Sequence, residues 1–269
     1  MPAQPTNQQY LMTLLQGQVQ ILDSCQTLDE VYTLMGALAE QVQIAYPIGC
    51  FAGCSACCVV SNTPNLTLAE WRQLFLHIRA FDPLLQREIV RRTAVYCGPR
   101  LDLLWDLVQT IASPVTMERW QRFETLMPKL GNEDCLFLVR GLCGVYEARP
   151  AKCRAHGNFI LRYEDIVQLH SCEPEQSKFE QYMAKQGSRR LLLPLWNAFE
   201  KRIRELNPPN SLVTALPVWL LYHVDAEQGT LVPEVVEKPD WSRLADPVKR
   251  AAWADALRAL LPTSTIGQV

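Results

Sequence analysis

Apolar residues recur every three to four positions over most of this chain, the period of a helix with one buried face. Tyr10 to Ile21 reads as a first amphipathic helix. Thr27, with Glu30 three residues on, forms a capping box for a second that runs to about Ala45, where Pro47 and Gly49 stop it. Thr67 and Glu70 repeat that signature and start a helix through about Phe81. Asp82-Pro83 supplies an N-cap and a first-turn proline for the next, to about Tyr96. Gly98-Pro99 breaks it, and two more helices are expected over Leu101 to Ala112 and Thr116 to Met127.

The texture changes at Cys135. Leu136 to Val139, a turn at Arg140-Gly141 and Leu142 to Tyr146 read as a short hairpin, and Asn158 to Tyr163 as a further strand before a turn at Glu164-Asp165. Helices return over Glu173 to Gln186, about Leu192 to Leu206, Ser211 to His223, and from Asp246-Pro247 to Leu261, with the tail Pro262 to Val269 expected to fray. The pattern therefore predicts a mainly α protein: a single helical domain over residues 1–269 with a small β-hairpin element beside a cysteine-rich site. At 269 residues and 48% hydrophobic, such a chain can bury roughly three quarters of its unfolded surface, enough for one large core or two interlocked ones.

Charge narrows the partners. With 26 basic and 28 acidic residues, the net charge of −2 gives no global field for nucleic acid or an anionic membrane. The basic runs at Arg87 to Arg92 and Lys201 to Arg204 spread around their helices as solvated faces. The first residues carry no basic, apolar export signal, and the most apolar stretch, Leu212 to Val224, holds Pro217 and is shorter than the roughly 20 residues a bilayer span needs. The expectation is a soluble, cytoplasmic protein, in whose reducing surroundings ten cysteines are available to metal rather than locked in disulfides.

Eight of the ten fall into two groups. Cys50, Cys54, Cys57 and Cys58 lie within nine residues, and Cys135, Cys143, Cys153 and Cys172 follow much later. Thiolates are soft ligands that select zinc or iron-sulfur clusters over magnesium or calcium, and several brought together without a metal repel one another and lose solvation. All eight are therefore candidate ligands, for an iron-sulfur cluster of 4Fe–4S type or for zinc, in a metal-binding core of about residues 50–172 carrying a helical insert at 67–127. Cys57 and Cys58 are adjacent, so their side chains are expected to diverge. Cys25 and Cys97 lie in helical segments and read as small buried hydrophobes. His156 and His170 read as ordinary polar side chains rather than substitute ligands. Arg149 and Arg154 read as support for the sulfurs, Arg149 alternatively meeting a substrate carboxylate, and Pro150 as the residue that sets the turn before Cys153.

The two blocks together resemble the YkgJ-type cysteine-cluster family of zinc- or iron-chelating domains. The shared features are Cys54, Cys57 and Cys58, then Cys135, Phe137, Leu138, Gly141, Cys143, Tyr146, Arg149, Pro150, Cys153 and Arg154, and the likeness covers roughly residues 50–172. That family is in turn similar to flagellin lysine methylases, whose cysteine-rich site is thought to hold an iron-sulfur cluster. The resemblance implies a redox or protein-modifying role with a protein partner or protein substrate; the alternative is a non-catalytic zinc module used as an interaction scaffold. Cys50, Cys54 and Cys57 also have the spacing of radical adenosylmethionine enzymes, but those need a barrel of alternating strands and helices that this chain does not pattern.

Overall fold

The structure, a computed structural model, describes residues 7–46, 55–59, 64–112, 116–130, 134–163, 166–171, 173–186 and 192–261. It is mainly helical, with short antiparallel two-stranded sheets. The chain forms two compact units, each made of separate stretches: unit 1 is Met1–Val60 with Arg140–Ser211, and unit 2 is Ser61–Val139 with Leu212–Val269. The sequence reading treats them as one domain; the segment it takes as a helical insert falls within unit 2.

In chain order, unit 1 begins with α1 (Asn7–Ser24), α2 (Leu28–Ala45) and the one-turn α3 (Ala56–Val59). Unit 2 follows with β1 (Asn65–Thr67), α4 (Leu68–Arg79), α5 (Pro83–Cys97), α6 (Leu101–Ala112), α7 (Met117–Leu126) and β2 (Leu138–Val139). Unit 1 resumes with β3 (Leu142–Cys143), α8 (Ala151–Ala155), β4 (Ile160–Tyr163), β5 (Ile166–Leu169), α9 (Glu173–Gln186) and α10 (Trp196–Glu205). Unit 2 closes with β6 (Val213–Ala215), α11 (Leu216–Leu221), β7 (Val224–Asp225), β8 (Thr230–Leu231), α12 (Ser242–Ala245) and α13 (Pro247–Ala259). Among the described residues no helix is long and apolar enough to cross a membrane.

The helix starts follow local chemistry. Both predicted capping boxes form: Thr27 and Glu30 at α2, Thr67 and Glu70 at α4. Asp82 and Asp246 cap α5 and α13 ahead of a first-turn proline. Arg140 and Gly141, with φ of 52° and 78°, make the expected turn. Ser211 to His223 departs from the all-helical expectation, because its first residues form β6 and pair with β1 in the register Asn65↔Ala215 to Thr67↔Val213 before α11 begins. The ends at Pro47, Gly49 and the tail Pro262 to Val269 lie outside the described residues.

In unit 1, Leu22, Val31, Met35 and Leu38 of α1 and α2 pack with Ala151, Ala155, Phe159, Trp196, Phe199 and Ile203. Phe159 meets Phe199 edge-on at 5.3 Å. In unit 2, Trp71 stacks on Trp219 at 5.7 Å, and Trp219 Nε1 donates to the Leu66 carbonyl, tying α4 and α11 to the β1–β6 ladder. His223 sits beneath them, with Nδ1–H donating to the Trp219 carbonyl and Nε2 accepting from Trp71 Nε1 and the Val236 amide. Burial lowers its pKa to about 4, so it is a neutral, fully partnered core histidine. Cys25 and Cys97 are buried as expected, Cys97 bonding the Pro217 carbonyl.

The two capping boxes differ in burial, and so in cost of removal. Glu70 accepts from both the amide and the hydroxyl of buried Thr67, whereas the Thr27–Glu30 box is exposed. Glu70→Ala is expected to cost about 1–3 kcal/mol because it strands a buried donor, and Glu30→Ala less than about 1 kcal/mol. Urea unfolding of the two variants checks this; equal losses would contradict the burial argument.

Candidate metal centre

Of the eight candidate ligands, Cys57, Cys58, Cys143 and Cys153 lie in unit 1 and Cys135 in unit 2, while Cys50, Cys54 and Cys172 fall outside the described residues. None of the described cysteines is in a disulfide. The four in unit 1 come from three separate segments. Cys57 and Cys58 ride on α3, where the Cys58 amide bonds the Ser55 carbonyl at 2.8 Å. Cys143 ends β3, and its carbonyl accepts from the Tyr146 amide to open a run of turns through Val145–Ala148 and Tyr146–Arg149. Pro150, with φ of −56°, stands at the N-cap of α8 and delivers Cys153.

α8 is short but held from one side. Ala151 and Ala155 are fully buried, and their small side chains let the helix lie close against the α1–α2 core. Cys153, two residues beyond Ala151, lies about 200° further round the helix and so faces away from that core. The far end is tied by hydrogen bonds from Arg154 Nε to the Arg149 carbonyl at 2.7 Å and from Arg154 Nη2 to the Glu147 carbonyl. The Arg154 guanidinium also lies over the Tyr32 ring of α2 at 4.4 Å.

The thiols act on one another. Hydrogen bonding with Cys58 shifts both Cys57 and Cys143. The bond to Cys58 favours the protonated form of Cys57, and burial and the charges of Cys58 and Cys143 push its pKa up further. The bond from Cys58 to Cys143 has the opposite sense and holds Cys143 down at about 7, helped by the Val145 amide and Arg149. Cys153 is pushed up to about 12, first by burial and then by the charges of Cys57 and Cys143. Arg149 opposes the rise at Cys57 and Cys153. Its guanidinium is braced over the Tyr146 ring at 3.6 Å, with Nε donating to the Tyr146 carbonyl.

The two histidines near the site are buried and neutral, with burial lowering His156 to about 4 and His170 to about 3. His170 Nε2 bonds the Lys152 carbonyl at 3.0 Å and so joins the chain after β5 to α8, a structural role in line with the sequence reading. Among the described residues, no group of three or more His, Cys, Asp or Glu side chains is arranged to hold a metal ion. The chemistry of the donors suits a thiophilic metal: Cys57 interacts with Cys58 and Cys143, Cys153 with Cys57 and Cys143, and Arg149 acts on three of the four.

The sequence reading missed the wall of a recess of about 180 Å³ that adjoins this region. Gly36, Ala39 and Glu40 of α2 line one side, facing Arg149, Arg154 and Asn158. The signal was present as small residues three apart on one face of α2, with Glu40 next to them. No family model, curated protein or solved structure matches the chain.

The unequal thiol acidities predict selective alkylation of reduced, metal-free protein. Cys143 is expected to react with iodoacetamide first, its rate rising roughly tenfold per pH unit below about pH 7 and levelling above it. Cys153 stays protonated to about pH 12 and remains unlabelled. Peptide mapping by mass spectrometry reads both; equal labelling of the two at pH 7 would contradict the assigned electrostatics.

Proposed function

We propose that the protein is a cysteine-thiolate metal-binding protein holding an iron-sulfur cluster, of 4Fe–4S type, and serving a redox step or the modification of a protein partner. One observation carries the reading: Cys57, Cys143 and Cys153, from three separate segments of unit 1, each feel the charge of Arg149, and Cys58 bonds to two of them. Like charges so placed keep one another protonated, and a metal cation reverses that balance by displacing the protons. Softness then favours iron-sulfur or zinc. The protein-modifying arm rests on the resemblance of the two cysteine blocks to the YkgJ-type family and its methylase relatives.

In this role α3, β3 and α8 would supply Cys57, Cys58, Cys143 and Cys153, with Cys50, Cys54 and Cys172 as the remaining candidates in unit 1. A bound cluster would supply electron transfer. Arg149 would offset thiolate charge and Tyr146 would hold its guanidinium in place. A second reading, a structural zinc module, draws on the same four thiols, because four is the number a closed tetrahedral zinc site takes.

The test is metal and acid-labile sulfide content, with a visible spectrum, on protein purified without oxygen. Iron with sulfide and a brown chromophore supports the cluster; colourless protein with stoichiometric zinc supports the structural module. Cys153→Ser is expected to lose most of the bound metal and lower the unfolding temperature, while Cys25→Ser, at a buried position between α1 and α2, keeps its metal content. Equal metal in the two variants would remove the assignment of the site.

A further inference from the structure

The recess in unit 1 has features that metal binding does not use. Its volume exists because Gly36 and Ala39 leave α2 thin there, and a Cβ built on Gly36 meets nothing within 4 Å. Arg149 and Arg154 line the opposite side. Neither forms an ion pair with a carboxylate of the described residues. Both guanidiniums line the same recess, so like charges share one lining. Both are held in place, Arg154 by the Arg149 and Glu147 carbonyls and Arg149 by Tyr146.

Two buried polar atoms of the lining residues have no partner. They are Asn158 Oδ1 and His156 Nε2, in residues that are 4% and 5% exposed. Asn158 Nδ2 donates to the His156 carbonyl at 3.2 Å, which fixes the amide so that its oxygen is the end left over. A buried acceptor without a donor is destabilising unless a ligand or water satisfies it. Glu40, exposed on α2, adds a carboxylate to the same lining. The recess thus offers paired cations for an anion, and an orphan carbonyl with a carboxylate for a cation.

We propose that this recess binds a small zwitterion, the head group of an α-amino acid, with its carboxylate on Arg149 and Arg154 and its ammonium on Asn158 Oδ1 and Glu40. The space equals that of about six liquid waters, which suits an amino acid with a short side chain. Arg149 also acts on Cys57, Cys143 and Cys153, so a carboxylate drawn to it changes the charge felt by the thiols. The inference goes beyond the metal reading and does not depend on which metal is held.

The test is calorimetric titration of the full chain as purified with L-alanine and with its two half-molecules, propionate and ethylamine, metal content being measured on the same samples. L-alanine is expected to bind saturably and at least about tenfold more tightly than either half, since each half leaves one set of charges unmatched. Gly36→Leu fills the recess while improving helix propensity; it is expected to abolish binding with the circular dichroism spectrum unchanged. Glu40→Gln, at an exposed position, is expected to weaken L-alanine by at least about threefold and leave propionate unaffected. No binding of L-alanine, binding of propionate as tight as that of L-alanine, or a Gly36→Leu variant that binds like the parent would overturn the proposal.

Discussion

Sulfur charge is the constraint around which unit 1 is arranged. Cys57, Cys143 and Cys153 interact so that ionising one raises the cost of ionising another, and burial raises that cost further at Cys57 and Cys153. The protein answers with a chain of bonds through Cys58 and a single guanidinium, which together leave Cys143 as the acidic member of the set. Cys57 and Cys153 stay protonated at neutral pH, so the set carries little charge until something displaces those protons.

The scaffold serves the same end by economy of volume. Ala151 and Ala155 occupy core positions where larger side chains would push α8 outward, and their smallness keeps Cys153 beside α3 and β3. The same approach brings Arg154 over Tyr32 and gives the recess its α2 wall. The loop between β3 and α8 uses aromatic and backbone contacts, rather than carboxylates, to hold both arginines. Their charge stays available because no acidic side chain of the described residues pairs with it.

Much of the helical content was legible because helix starts depend on neighbours a few residues apart. Thr27 with Glu30, Thr67 with Glu70, Asp82 with Pro83 and Asp246 with Pro247 all act where the spacing places them. β6 was not legible: three residues give too few alternations to separate strand from helix, and their partner β1 lies about 150 residues away, beyond the reach of any local period. The cysteine spacings grouped the thiols, but the link from Cys58 to Cys143 was not legible, because Cys143 comes from β3 in a distant segment of the chain. The recess was illegible for a related reason: Gly36 and Ala39 look like neutral helix residues until a distant loop is laid across them.

The division of the chain into interleaved stretches has a consequence for biosynthesis. Each unit is built from two separated segments, and the backbone passes between units three times, after Val60, Val139 and Ser211. As the chain leaves the ribosome, α1 and α2 emerge long before Ala151 of α8, Phe159 just before β4 and Phe199 of α10, which cover their apolar faces. Unit 2 waits as well, since β1 and Trp71 are made about 150 residues ahead of β6 and Trp219. The nascent protein thus carries exposed apolar helices and reduced thiols through most of its synthesis, a period in which chaperone cover and protection from oxidation matter more than they do for the finished molecule.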